Sequence, residues 1–145
     1  MMTATHIPLS DCRSLAGEFE MGWRDIVTAV ADDETDFEVC GYRFIAASMI
    51  DEVMQNELAS DTYMLGCFNS WFLADVLDID CDVIAAMQKA EAFDAIGKLV
   101  LSMGKVGELQ ELYVRHDGYG HHFNHWDGSE ETIHVGGVEY YSFRQ

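Results

Sequence analysis

Apolar residues in the first half of the chain recur mostly at intervals of three and four, which is the spacing of amphipathic helices. The first such pattern covers residues 10–31 and predicts a helix. An acidic loop at 32–36 ends it, and residues 37–42 are ambiguous, with a short strand as one interpretation. A second helix is predicted from about Arg43, because apolar side chains then follow the helical spacing to Leu58.

Two further helices are predicted from cap residues followed by apolar rows. Ser60-Asp61 is a cap signal for a third helix, whose wide apolar face includes Trp71 and is bulky enough for a core position. Asp78-Ile79-Asp80 closes this helix and caps a fourth, in which Gly97 marks either a close crossing or a break. Residues 108–113 are long enough for one or two more helical turns.

The composition changes after Arg115, where glycine, histidine, aromatic and β-branched residues alternate. Asp127-Gly128 and Gly136-Gly137 are turn dipeptides, and the segments around them predict an antiparallel meander over about 119–144. The predicted fold class is therefore α+β and mostly α, with four to five helices before the meander. We expect one domain over residues 1–145, with the helical body at about 10–115.

Composition and charge narrow the classes of function. The 145 residues are 49% hydrophobic, which supports a packed core, yet 26 acidic residues face 8 basic ones for a net charge of −18. This charge disfavours direct nucleic-acid binding and polybasic attachment to membranes. No secretory signal and no apolar stretch long enough to span a membrane is visible, so we expect a cytoplasmic protein.

The acidic residues are concentrated in one part of the chain. Residues 25–88 contain 14 acidic residues and one basic residue, Arg43, and no Lys or Arg occurs over 44–88. Helical periodicity turns the apolar residues inward and these carboxylates outward. The predicted partner-binding residues are Asp32, Asp33, Glu34, Asp36, Asp51, Glu52, Glu57, Asp61, Asp75, Asp78, Asp80 and Asp82.

Two interpretations of this surface remain open. A solvated acidic face that serves only solubility is one, although the charge exceeds the magnitude of about 2 to 8 that suffices for a small domain. The other is imitation of B-DNA, which carries one negative charge per about 1.7 Å of helix axis, so that the basic groove of a host nucleic-acid-binding protein accepts the chain instead. By size and charge alone, the chain is similar to small acidic DNA-mimic inhibitors of CRISPR and restriction systems.

The histidines are the leading alternative site. His116, His121, His122, His125 and His134 lie near the C-terminus together with Asp117 and Asp127, and on a strand His121 and His125 would point to the same face. No metal-ligand motif or catalytic motif accompanies them, so the prediction is no cofactor, no metal and no enzymatic activity, with a metal-binding protein or metal-dependent enzyme as the alternative. The four cysteines, Cys12, Cys40, Cys67 and Cys81, are predicted to be free buried thiols.

Aromatic residues suggest a third class of function. The meander holds more aromatic side chains than one face of a small sheet must bury, so an adaptor that binds a partner through residues such as Trp126 and Tyr141 is a further hypothesis. The wide apolar face of residues 63–77 is also suited to a homodimer contact.

One local resemblance concerns residues 117–128, which read Asp-Gly-Tyr-Gly-His-His-Phe-Asn-His-Trp-Asp-Gly. This segment resembles a Gly-aromatic-Gly-His…Phe…Asp-Gly segment near the C-termini of small acidic proteins of phages and mobile elements. The resemblance implies an origin and assigns no functional residue. It favours a counter-defence role in the host cytoplasm, so the predicted function is a non-enzymatic anti-CRISPR or anti-restriction inhibitor.

Overall fold

The computed structural model describes residues 23–39 and 41–145, which form eight helices and four strands. The helices are α1 (Trp23–Ala31), α2 (Ile50–Ala59), α3 (Thr62–Gly66), α4 (Ser70–Leu77), α5 (Cys81–Lys89), α6 (Phe93–Ser102), α7 (Val106–Asp117) and α8 (Gly120–Phe123). The strands are β1 (Asp36–Val39), β2 (Tyr42–Ala46), β3 (Glu131–Val135) and β4 (Val138–Arg144). The predicted α+β class, mostly α, is confirmed.

The four strands form one antiparallel sheet in the order β1-β2-β4-β3. The segment that was ambiguous in sequence is therefore a hairpin, with Phe37 opposite Phe44. β2 continues into the sheet through β4, where Tyr42 lies opposite Arg144 and Ala46 opposite Tyr140. The helix predicted from about Arg43 is present as α2, but it begins at Ile50, because the pairing of residues 42–46 with a strand almost a hundred residues later outweighs a local helical spacing.

The C-terminal meander is confirmed in its second part and wrong in its first. β3 and β4 are joined by Gly136 and Gly137, whose φ angles of 60° and 81° suit a tight hairpin turn. Residues 120–123 form the short helix α8 instead of a strand. A Cβ added to Gly120 would lie 2.1 Å from the carbonyl oxygen of Gly128, so the loop packs directly on this helix.

The predicted helices differ from the observed ones mainly in their ends. The helix predicted over 10–31 is present as α1, and its predicted start lies outside the described residues. The predicted third helix is two helices, α3 and α4, separated at 67–69, and the predicted fourth is α5 and α6. Glu91, between α5 and α6, has a φ of 60°, which interrupts a right-handed helix. The turns predicted at 108–113 belong to the longer α7.

The chain divides into two compact units, Asp51–His116 and the remainder. We call the first the helical unit and the second, described over 23–50 without residue 40 and over 117–145, the sheet unit. The single domain expected over 1–145 stays a prediction. In the sheet unit, α1 packs on one face of the sheet through Ile26 and Val30, which are buried with Phe44 and Tyr140.

The helical unit is held together by a close crossing of α3 and α6. A Cβ on Gly66 would lie 1.8 Å from the carbonyl oxygen of Phe93, and one on Gly97 would lie 1.8 Å from that of Thr62. The backbones therefore touch, so of the two alternatives predicted for Gly97, a close crossing or a break, the close crossing is observed. The buried side chains of the helical unit include Leu65, Leu73, Ile84, Ile96, Val100 and Leu109.

Some residues that apolar spacing predicts to be buried lie at the surface. Trp71 is 57% exposed, and Val83 and Met103 are also exposed. Cys67 is a free thiol that is exposed, contrary to the prediction, whereas Cys81 is half-buried. Cys12 and Cys40 lie outside the described residues.

Candidate functional site

The twelve predicted carboxylates are mostly at the surface, but they belong to different units. Ten are exposed, and Asp33 and Glu57 are half-buried. Asp32, Asp33, Glu34 and Asp36 belong to the sheet unit, and the other eight belong to the helical unit. The acidic side chains are therefore described as two separate groups.

In the sheet unit, local contacts engage several of these acidic residues. Asp36 accepts two hydrogen bonds from the Arg43 guanidinium, at 2.8 and 2.7 Å, so its charge is neutralised within the unit. The backbone carbonyl of Glu34 accepts a hydrogen bond from the Tyr140 hydroxyl at 3.2 Å. Burial raises the pKa of Tyr140, and the charges of Asp33 and Glu34 raise it further. Asp36 is thus not free for a cationic partner.

In the helical unit, backbone hydrogen bonds hold several carboxylates in fixed positions. Asp61 caps α3 by accepting from the Met64 amide at 3.0 Å, and Asp80 caps α5 by accepting from the Asp82 amide at 2.8 Å. The cap signals predicted at Ser60-Asp61 and at Asp78-Ile79-Asp80 are thus confirmed, with Asp61 and Asp80 as the capping residues. Asp51 accepts from the Gln110 side-chain amide at 2.9 Å. At Asp61 and Asp80 the cap uses one carboxylate oxygen, so the second can contact another group.

A group of acidic residues in the helical unit lies at the corner between α4 and α5, and we call it the α4–α5 corner. It consists of Asp75, Asp78, Asp80 and Asp82, all exposed. Among the described residues, these four side chains make no ion pair; the ion pairs of the helical unit are Lys98–Asp94, Lys105–Glu108 and Arg115–Glu111. Four uncompensated charges within eight residues thus face solvent together.

Asp78 occupies a position that is unfavourable for an aspartate. It lies at the C-terminal end of α4 in the left-handed conformation, with φ 55° and ψ 46°. Glycine is the preferred residue there, and a negative charge at a helix C-terminus opposes the helix dipole. Its carboxylate is therefore retained against two local costs in stability.

A groove adjoins Asp75 within the helical unit. It has a volume of about 300 Å³ and is lined by α4 and α7 through Asp75, Val76, Glu108, Glu111, Leu112 and Arg115. Trp71, one helical turn before Asp75, is exposed, and its ring meets His116 edge-on at 6.0 Å. Sequence reasoning missed Glu108 and Glu111, because only the packing of α7 beside α4 brings them near Asp75.

The histidines do not share a strand face. His121 and His122 lie on the short helix α8, His125 follows it, and His134 lies on β3, where it is 3.4 Å from Glu139. The predicted strand alignment of His121 and His125 is therefore wrong. Within residues 23–39 and 41–145, no group of three or more His, Cys, Asp or Glu side chains is arranged to hold a metal ion.

The sheet unit contains a second, polar cavity of about 230 Å³, which we call the β4 cavity. Its lining includes Tyr42, Asn124, Asp127, Glu131, Ser142 and Arg144. The side-chain oxygen of Asn124 accepts from the amides of Trp126 and Asp127 at 2.8 and 2.9 Å, which folds residues 124–129 into an ordered loop. Sequence reasoning did not predict this cavity, because its walls come from distant parts of the chain.

Compared with known proteins, the chain matches no family model, no curated protein and no solved structure. Of the helices that the structure describes, none is both long and apolar enough to cross a membrane.

Proposed function

We propose that the protein is a non-enzymatic inhibitor that binds a basic, nucleic-acid-binding protein of the host through the exposed carboxylates of the helical unit. The observation that carries the proposal is the α4–α5 corner, where four exposed carboxylates have no cation of their own. A host defence complex of the CRISPR or restriction type, acting in the cytoplasm, is the class of target.

Fixed carboxylates favour such binding on physical grounds. Asp61 and Asp80 are held by backbone amides, so pairing with Lys or Arg immobilises less side-chain freedom than it would for mobile carboxylates. A surface with one sign of charge also accelerates encounter with a groove of the opposite sign, in the way that DNA is attracted to the same groove.

Asp78 reduces stability at the end of α4, and this supports a role for the residue in binding over a role in folding. A residue that served only stability would be glycine or asparagine at this left-handed helix end. Functional surfaces commonly retain residues that reduce stability, because selection acts on activity above a threshold of folding.

The test is capture of proteins from nuclease-treated host lysate on immobilised full-length chain, with and without added duplex DNA. We expect a nucleic-acid-binding protein to be captured at low salt, released at high salt and displaced by the DNA, because all three effects follow from competition for one cationic groove. A captured protein that DNA does not displace would contradict mimicry.

A matched pair of variants assigns the binding to the corner. In one, Asp75, Asp78, Asp80 and Asp82 become Asn, which removes four charges and retains a cap residue at position 80. In the other, four exposed acidic residues of the sheet unit are neutralised in the same way: Asp25, Glu38, Glu130 and Glu139. The first variant should lose the target and the second should keep it; equal capture by both would overturn the assignment.

A second candidate is the adaptor, which one observation favours. Trp126 is 66% exposed, whereas Tyr141 is half-buried and stacked in parallel with Phe143 at 6.2 Å. An adaptor would therefore use Trp126. Capture that is lost on Trp126→Ala, and that survives neutralisation of the α4–α5 corner, would favour the adaptor over the mimic.

A further inference from the structure

The β4 cavity is lined by a serine hydroxyl that has no hydrogen-bond partner among the described residues. Ser142 as a whole residue is only 4% exposed, yet its hydroxyl is accessible from the cavity, since the buried unpartnered side-chain atom of the described residues is Asp33 Oδ1. A hydroxyl can donate one hydrogen bond and accept others. The hydroxyl is therefore positioned for a polar group that enters the cavity.

A guanidinium in the same cavity is also unpaired. Arg144 lies over the Trp126 ring, 3.6 Å from its centroid, and its nitrogens make no hydrogen bond or ion pair with the residues that the structure describes. Asp127 and Glu131 line the same cavity but are beyond ion-pair distance of Arg144. Stacking holds the guanidinium flat and leaves its planar set of N–H donors available for an anion such as a carboxylate.

The carboxylates beside Arg144 are arranged to accept N–H donors. Asp127 accepts from the Ser129 amide at 3.0 Å and from the Ser129 hydroxyl at 2.7 Å through one oxygen. These hydrogen bonds lower the pKa of Asp127, so it remains ionised at neutral pH. Glu131, which lies on β3 opposite Ser142 of β4, is exposed and without a partner among the described residues.

We propose that the β4 cavity binds a free basic α-amino acid, whose carboxylate contacts Arg144 and Ser142 and whose ammonium contacts Asp127 or Glu131. The volume of about 230 Å³ is smaller than the roughly 300–1,000 Å³ of sites for drug-sized ligands, and it suits a single amino acid. One guanidinium and two carboxylates leave the lining net negative, so a cationic side chain completes the balance of charge. This site is independent of the acidic surface of the helical unit.

The experiment is calorimetric titration of the full-length chain with L-arginine, N-acetyl-L-arginine and L-argininamide. L-Arginine should bind at one site, and each derivative should bind at least about tenfold more weakly, because each lacks one of the two charged backbone groups. Guanosine is titrated in parallel, since a nucleobase also pairs with arginine and carboxylates. No saturable binding of L-arginine, or binding of guanosine alone, would overturn the proposal.

Variants of the cavity provide the second readout. Arg144→Gln should weaken L-arginine binding by about tenfold to a hundredfold, and Ser142→Ala by about threefold to tenfold. The matched controls are Arg115→Gln and Ser102→Ala, which lie in the helical unit and should bind as the parent does. Folding is verified by circular dichroism; if Arg144→Gln unfolds, Ser142→Ala decides. Unchanged affinity in a folded cavity variant would contradict the site.

Discussion

In the sheet unit, the side chains of Arg43 and Arg144 each lie over an aromatic ring. In the helical unit, by contrast, the ion pairs lie at the solvent-facing surface. Arg43 is 5.1 Å from the centre of Phe123 and Arg144 is 3.6 Å from that of Trp126. The side chain of Arg43 is only 16% exposed, while that of Arg115 in the helical unit is 67% exposed. Charge is thus part of the packing in one unit and part of the surface in the other.

The amount of charge does not explain this difference. The helical unit has twelve acidic and four basic residues, and the remainder of the chain has 14 and four. Both parts are strongly negative. What differs is whether a cation is paired with the carboxylates, as Arg43 is with Asp36, or makes no ion pair with them, as at the α4–α5 corner, where Arg115 lines the groove beside Asp75 but pairs with Glu111. Only the second arrangement leaves negative charge for a partner.

The prediction with the largest expected effect concerns what stabilises the helical unit. It tests whether the stability of this unit depends on close backbone contact instead of on charge. Gly97→Ala should destabilise the protein by about 3 kcal/mol, because the added methyl group overlaps the carbonyl of Thr62. Gly107→Ala, on α7, is the matched control, since its Cβ would meet nothing closer than 4.0 Å, and it should be neutral or stabilising by up to about 1 kcal/mol. Urea denaturation measures both. Similar effects would refute the close crossing.

The second prediction sharpens the comparison of the two kinds of ion pair. Arg43→Gln should cost about 1.5–3 kcal/mol, because it breaks two charge-assisted hydrogen bonds and a ring contact in a largely buried position. Arg115→Gln removes the exposed pair with Glu111 and should cost less than about 0.5 kcal/mol. Urea denaturation at low and high salt measures the difference; equal costs would remove the distinction between the units.

The third prediction concerns the strained residue of the α4–α5 corner. Asp78→Gly should stabilise the protein by about 0.5–1 kcal/mol, since glycine adopts the left-handed conformation readily and removes a charge from a helix C-terminus. The same variant should weaken capture of the basic target. Thermal melting measures the gain in stability, and the capture assay measures the loss of binding. A loss of stability in Asp78→Gly would show that Asp78 contributes to folding.

The smallest effect is a dependence on alkaline pH in the sheet unit. The folded pKa of Tyr140 is raised above the usual 10.0, so the folded state holds this proton more tightly than the unfolded state. Its contribution is complete below pH 10.0 and is lost as the pH rises toward the folded pKa. Tyr140→Phe should flatten this alkaline decline and cost about 0.5 kcal/mol at neutral pH through the lost bond to Glu34. If stability declined at alkaline pH in Tyr140→Phe as it does in the parent, the decline could not be assigned to Tyr140.

Local patterns were sufficient for the elements whose stability is local. The caps at Asp61 and Asp80 and the turn at Gly136-Gly137 were predictable, because each depends on a few neighbouring residues. The strand β2 was not, because its partner β4 lies far along the chain and its apolar residues also fit a helix. α8 was missed because aromatic residues between glycines favour a strand, and the close packing of Gly120 on Gly128 depends on the fold of the following loop.

The candidate sites divide in the same way. Exposure of the carboxylates followed from helical periodicity, so most of the acidic surface was predictable. The neutralisation of Asp36 was less so, because it requires the register that places β1 against Arg43. The β4 cavity was unpredictable, since Tyr42 and Arg144 meet only when the sheet forms. Trp71 is exposed at the start of α4, although its spacing matches that of buried neighbours.

The strand order places β1 and β3 at the two margins of the sheet. Both are short, with four and five residues, and their exposed positions include Glu38 and Glu131. A second molecule that added a strand to either margin would bring like charges together along an unpaired backbone. The placement of these residues thus disfavours edge-to-edge aggregation and leaves the other surfaces of the protein available for binding.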